Sequence, residues 1–157
     1  RPIARWYTMY ATITQSRDWL PDAIGGVVWL ALDNVATSIY IPLYCSIYDV
    51  APPYKVDGRT TGFSRESAWW AFNRLGTLAA QRWGDMRYDV AAVWGPMQSE
   101  LLERQNEIES QALRQYRHSP DAARHFLTKY SVDWGAKVVN RAWKLGDELW
   151  TKYDEQF

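Results

Sequence analysis

Leu20-Pro21-Asp22-Ala23-Ile24-Gly25-Gly26-Val27-Val28-Trp29-Leu30-Ala31-Leu32-Asp33-Asn34 is the stretch on which the fold turns. A Leu-Pro-Asp turn signal opens it, a glycine pair follows, and Val27 to Leu32 then runs apolar without alternation. A half-solvated strand alternates apolar and polar residues, so this run reads as a strand covered on both faces. It belongs in the interior. Gly25-Gly26 has neither the G-x-G-x-x-G spacing nor the following Lys-Ser/Thr of a phosphate loop. It reads as a place where only glycine fits the backbone.

Upstream, Trp6 to Gln15 reads as a strand. Trp6, Thr8, Tyr10, Thr12 and Thr14 share its wetter face, and Tyr7, Met9, Ala11 and Ile13 the other. Downstream, Ile39 to Ile47 contains Pro42, which cannot donate to a ladder and so predicts an edge strand. Three short strands do not make a stable sheet with two covered faces, so further strands from elsewhere are expected. The chain changes character at Pro52-Pro53, and the expected organisation has three parts. Residues 1–50 are β-rich and contribute strands to core sheets, 51–63 form a Pro/Gly linker, and 64–157 form a helical region covering the sheet and contacting other subunits.

Within that last part Ser64 is the expected N-cap of a first helix, with Glu66 in its first turn, Ala68, Phe72, Leu75 and Ala79 at helical spacing, and Gly84 closing it. A second stretch, Asp85 to Tyr116, is expected to break or kink at Gly95-Pro96, because proline removes an N–H and clashes with the preceding turn. Ser119-Pro120-Asp121 reads as a helix start: cap, proline at the first position, acid at the second. Val138, Ala142, Leu145 and Leu149 then form a narrow apolar stripe, with Lys137, Arg141, Lys144 and Glu148 off it.

The 157 residues carry 18 basic and 18 acidic side chains, and a net charge of zero removes the main electrostatic reason to expect nucleic acid. The longest apolar run, Ile24 to Leu32, is far short of the roughly 20 residues a membrane-spanning helix needs. Neither nucleic acid nor membrane is an expected partner. Ten Trp and ten Tyr stand against four Phe. Aromatics with a polar tip suit half-wet interfaces. The chain begins at Arg1 rather than Met, from which we expect a portion of a larger protein.

No complete catalytic set emerges from the residues alone. Cys45, the single cysteine, reads either as a nucleophile or as an inert buried thiol, and its apolar neighbours favour the second. His118 and His125 are separated by Pro120 and lack the further ligands of a closed metal site. No metal or cofactor is implied. The tryptophans from Trp69-Trp70 through Trp83, Trp94, Trp134, Trp143 and Trp150 read as helix packing more readily than as a sugar-stacking platform. Glu100 to Glu107 reads as a solvated helix face. Asp18, Asp22 and Asp33 flank the hairpin where paired acids could work, without a visible nucleophile beside them.

Three motifs nonetheless carry a resemblance. Thr12-Ile13-Thr14-Gln15-Ser16-Arg17 is followed by Leu20-Pro21-Asp22-Ala23-Ile24-Gly25-Gly26 and later by Trp69-Trp70-Ala71-Phe72, with Arg1-Pro2-Ile3 ahead of them. Together these resemble the C-terminal half of the PepD-type dipeptidases, relatives of the secernins, over roughly the first half of the chain. The resemblance implies an α+β chain forming the C-terminal part of an αββα N-terminal-nucleophile hydrolase fold. In that fold two stacked antiparallel sheets lie between helical layers. It implies hydrolysis of short peptides by a cysteine at the mature N-terminus whose own amine is the base. Here the first residue is Arg1, so the expected nucleophile lies upstream and no catalytic residue is expected within the chain.

The implied partners are the N-terminal half of the same parent protein, a short peptide substrate, and further copies in a homo-oligomer. Arg1, through its bidentate guanidinium, and Thr14 and Arg17, at a strand end, are the substrate-binding candidates, with a structural hydrogen-bonding role as the competing reading for Thr14, Gln15 and Arg17. The alternative function is a non-catalytic, aromatic-rich interaction module binding a partner protein or glycan. A third reading, a free-standing enzyme built on Cys45, rests on that thiol's accessibility.

Overall fold

The computed structural model describes Ala4, Arg5 and residues 7–155. Arg1 and Trp6 lie outside the described residues. Three strands, β1 (Tyr10–Ser16), β2 (Gly26–Leu32) and β3 (Ile41–Tyr44), form an antiparallel sheet in the order β1-β2-β3. A helical turn, α1 (Asp22–Gly25), joins the first two. Four helices follow: α2 (Ala68–Gln81), α3 (Trp83–Glu103), α4 (Gln105–Tyr116) and α5 (Pro120–Lys152). The chain is α+β, a small sheet followed by a long helical region. The apolar run is the central strand, and Pro42 sits on an edge strand where its missing N–H interrupts no inner ladder.

The glycine pair is needed for close approach. A Cβ at Gly25 would stand 2.5 Å from the Arg17 carbonyl oxygen, and one at Gly26 would stand 3.0 Å from Cys45 Sγ. The first contact is with backbone and cannot yield.

The sheet has two unlike faces. Val27, Trp29 and Ala31 of β2 are buried, and the register sets Gln15 beside Val27, Ala11 beside Ala31, and Tyr44 beside Val27. Val27, Trp29 and Tyr44 join one hydrophobic core with Phe72 and Leu75 of α2, Trp94 and Leu101 of α3, Ile108 of α4 and Leu127, Val138 and Leu149 of α5. Each such side chain contributes on the order of 1.5–3 kcal/mol by leaving water. On the opposite face Val28, Leu30, Leu32 and Leu43 are half-buried and Tyr10, Thr12 and Thr14 are exposed. The expected contrast between the faces of β1 holds only in part. Ile13, opposite buried Trp29, is itself 55% exposed, and Tyr7 and Met9 ahead of the strand are exposed as well, because no helix covers this edge.

Helix starts and stops follow local chemistry with three corrections. Ser67, not Ser64, caps α2, its Oγ accepting from Trp70 N. The Ser64 hydroxyl instead accepts from Glu66 N, which turns the chain one step ahead of the helix. The first helix ends at Gln81, with the break at Arg82, and Gly84 lies inside α3. Most telling, α3 runs through Gly95-Pro96 without ending. Ala92, Gly95 and Pro96 are all exposed, so water can satisfy the carbonyl that proline leaves unbonded. The residue before it, glycine, also lacks the Cβ that would collide with the proline ring. Ser119 caps α5 as expected, accepting from Ala122 N at 3.0 Å, and Val138, Ala142, Leu145 and Leu149 are all buried.

Candidate functional site

A buried carboxylate packs near each end of β2, Glu109 from α4 at its start and Asp33 just past its end. Before the strand, Arg17 follows β1 and is 8% exposed. Its Nε and Nη2 donate to the carbonyls of Gly25 and Ile24, and its Nη1 donates to Glu109 Oε1 of α4 at 2.6 Å. The same Glu109 oxygen accepts from the Tyr44 hydroxyl at 3.1 Å and from Gln105 Nε2 at 2.9 Å. Burial and the Glu109 charge push the Tyr44 phenol well above its ordinary range. This is a closed network tying the β1–β2 turn to α4 and β3.

Past the strand, Asp33 is 3% exposed and takes a left-handed backbone with φ 59°. Side chains other than glycine enter that region at a cost, Asp and Asn less than most. Its Oδ1 accepts from Asn73 Nδ2 of α2 at 2.9 Å, and its N–H donates to the Met9 carbonyl at 2.8 Å. Burial raises the Asp33 carboxyl above its usual range, opposed by the Asn73 amide, the Asn34 N–H and, more weakly, the charge of Arg59. Around it, Asn34 Oδ1 caps a tight turn by accepting from Ala36 N, and Thr37 Oγ1 donates to the Asn34 carbonyl. Trp94 Nε1 of α3 donates to the Thr37 carbonyl at 2.9 Å. Gly76 of α2 is what lets that helix come so close, for a Cβ there would lie 2.8 Å from Asp33 Oδ2.

A buried carboxylate without a cation in contact, on a strained backbone, works against stability. Such positions concentrate at functional sites. Asp33, Asn34, Thr37 and Asn73 are therefore the candidate site. They can orient amides and hold a negative charge, but their one hydroxyl, Thr37 Oγ1, donates to the Asn34 carbonyl and not to a base that would activate it. Among the described residues no Ser or Thr hydroxyl, nor the Cys45 thiol, is hydrogen-bonded to a histidine, and no group of three or more His, Cys, Asp and Glu converges as a metal cage.

The structure places the sequence candidates apart from this cluster. Arg17 lies at the opposite end of β2, a strand of seven residues and so roughly 20 Å away. Thr14 is exposed and lines a cavity of about 420 Å³ with Gln15, Trp29, Tyr40 and Gln98. Gln15 Oε1 accepts from Trp29 Nε1 and from Gln105 Nε2, a structural bridge from the sheet to α4. Arg1 falls outside the described residues. Cys45 is exposed rather than buried. It follows the last residue of β3, and alternation turns it away from Tyr44 and the helices, over Gly26, so its apolar neighbours in sequence do not cover it. His118 and His125 are both exposed, and His125 Nδ1 meets the Tyr48 hydroxyl.

Asp33 stood among the hairpin acids in the sequence, but Asn73 and Gly76 were hidden inside an amphipathic helix pattern. Their signal was polar and small residues on the stripe that otherwise carries Phe72 and Leu75.

Among curated proteins none matches the chain. The family model of peptidase family C69 matches residues 1–95, more than half of it, spanning all three strands, α2, the start of α3 and every member of the Asp33 cluster. The chain belongs to peptidase family C69.

Proposed function

We propose that residues 1–157 form the sheet-and-helix portion of a cysteine dipeptidase of the N-terminal-nucleophile type, whose nucleophile is carried outside them. The observation that carries this reading is the asymmetry of the sheet. One face packs on the helices along β2 and β3. On the other, Leu30, Leu32 and Leu43 are half-buried, partly covered by Val50, Pro53, Tyr54 and Trp69, while Tyr10, Thr12 and Thr14 of β1 stay exposed. An apolar sheet face of this kind fits a second β-layer, which the N-terminal half of the same parent would supply. In the assembled enzyme the nucleophile would attack the peptide carbonyl while its α-amine takes the thiol proton, then gives that proton to the amine released as the C–N bond breaks. The acyl-enzyme would then be hydrolysed by water. The Asp33 cluster, at the end of the central strand, would position groups around that centre. Arg1, Thr14 and Arg17 are kept as substrate-binding proposals, Arg17 acting through the backbone it holds.

The test is direct. The 157-residue chain is expected to hydrolyse no dipeptide in a panel, and the open reading frame upstream of Arg1 is expected to encode a cysteine able to become a mature N-terminus. Turnover by the isolated chain that survives Cys45→Ala would overturn the proposal, as would an upstream frame without such a cysteine.

A further inference from the structure

Helices α2 and α5 flank an open cavity of about 350 Å³ that the peptidase reading does not use. Its walls are almost wholly apolar: the rings of Phe63, Trp70 and Trp150 and Leu78, with Asn73, Arg74 and Thr77 at the lining. The rings are set edge to face, Phe63 lying 5.5 Å from Trp70 and 6.0 Å from Trp143 between centroids. That geometry leaves ring faces and edges for a further flat group. Phe63 is 59% and Trp150 55% exposed, so the apolar walls face water.

The charge beside the cavity is unbalanced. Arg74 Nη2 donates to Asp147 Oδ1 at 2.7 Å, and Arg65 reaches the other oxygen of the same carboxylate at 3.7 Å while stacking 4.7 Å over the Trp143 ring. The neighbouring acid, Glu148, is paired with Arg141 and Lys144. Two guanidiniums thus share one carboxylate at the cavity edge. A guanidinium has five N–H donors in a fork that matches a carboxylate. Arg74 uses Nη2 on Asp147 and packs Nη1 against Gly146 of α5, where a Cβ would collide with it, so its remaining donors face the cavity edge only in part. A second cavity of about 350 Å³ opens on the far side of Arg74, along Asp147, Trp150 and Thr151. Arg74 and Trp150 therefore line two adjoining open grooves.

We propose that this cavity binds a carboxylate attached to an aromatic or bulky apolar group, the group seated against Phe63, Trp70 and Trp150 and the carboxylate on Arg74 and Arg65. Its natural source is the C-terminal residue of a short peptide, a clause that rests on the peptidase reading. The binding itself does not rest on it. Asn73 lines the chamber and also holds Asp33, so an occupied cavity touches the candidate site through one side chain.

The experiment titrates the 157-residue chain with four probes, followed by tryptophan fluorescence and calorimetry: Gly-Phe, Gly-Phe-amide, Gly-Gly and 3-phenylpropionate. Gly-Phe is expected to bind at roughly millimolar Kd or tighter. The amide should bind about tenfold more weakly, having lost the charge-assisted bonds, and Gly-Gly should give no signal. Equal binding of 3-phenylpropionate assigns the site to free aromatic carboxylates, and weaker binding assigns it to peptide termini. Arg74→Gln should erase the difference between acid and amide. Thr77 is exposed on α2 and lines the cavity, so Thr77→Phe fills it without disturbing the core and should abolish binding. Equal affinity for acid and amide, or binding that persists in Thr77→Phe, overturns the proposal. No arm depends on turnover, so the site stands or falls apart from the peptidase reading.

Discussion

Glu109 and Asp33 are both buried acids, one near each end of the same central strand, and they are treated in opposite ways. Glu109 is met by the Arg17 guanidinium at 2.6 Å and by Tyr44 and Gln105. Asp33 is met by an amide, sits at φ 59°, and has its carboxyl pushed upward by burial. A fold that needs a buried acid for architecture surrounds it with compensation. An acid left under-compensated is one that the fold tolerates for another reason. On this contrast rest both the architectural role of the Arg17–Glu109 pair and the candidate status of Asp33.

The largest expected effect comes from breaking the compensated end. Arg17→Met leaves Glu109 buried without its cation, a change that costs about 3–5 kcal/mol in comparable settings. Urea unfolding of the variant measures it. The double variant Arg17→Met, Glu109→Leu should recover part of that loss, because it removes the orphaned charge. It would still lack the bonds to the Gly25 and Ile24 carbonyls and to Tyr44. A single variant losing under about 1 kcal/mol would show that the pair is not architectural, and the contrast with Asp33 would collapse.

At the other end the test is a glycine. Gly→Ala inside a helix ordinarily gains about 1 kcal/mol. At Gly76 the added methyl would lie 2.8 Å from Asp33 Oδ2 and 3.0 Å from Thr37 Oγ1, both held by tertiary structure. Overpacking of that kind costs about 1–3 kcal/mol, so the net expectation for Gly76→Ala is a loss of about 1 kcal/mol, seen as a lowered Tm. A raised Tm would mean that α2 is free to move off Asp33.

How much of this could be read in the sequence divides along the same line. The central strand was legible because Val27 to Leu32 is apolar on both faces, and the start of α5 because Ser119-Pro120-Asp121 is a local signal. The partner of Arg17 was not, since Glu109 is 92 residues away, just past the charged run from Glu100 to Glu107, and nothing local marks it as buried. Continuity of α3 through Pro96 depends on which side of the helix meets water, which only packing decides. The site was half visible: Asp33 follows the strand, but its left-handed backbone and its contact with Asn73 arise from docking α2 across the strand end. The tryptophans divide similarly. Trp29, Trp94 and Trp134 are core, Trp69 and Trp70 are half-buried, and Trp83 is exposed at 39%, so the aromatic surplus is shared between core and surface.

The smallest expected effect separates the two acids most cleanly. Asn tolerates the left-handed backbone as Asp does and can accept the same bond from Asn73, so Asp33→Asn changes little except the charge. The Asp33 carboxyl is raised in the folded state above the 3.8 of the unfolded chain. As pH climbs past that value the unfolded state releases its proton first, the folded state holds more protons, and stability falls until the raised value is passed. Above it the full penalty is present. Asp33→Asn lacks the penalty and should therefore match or exceed the parent chain at pH 7, with the difference shrinking toward about pH 3. Urea midpoints across a pH series read this. A loss beyond about 1 kcal/mol at pH 7 would mean that the Asp33 charge stabilises the fold as Glu109 does, and the cluster would be architecture at both ends of the strand.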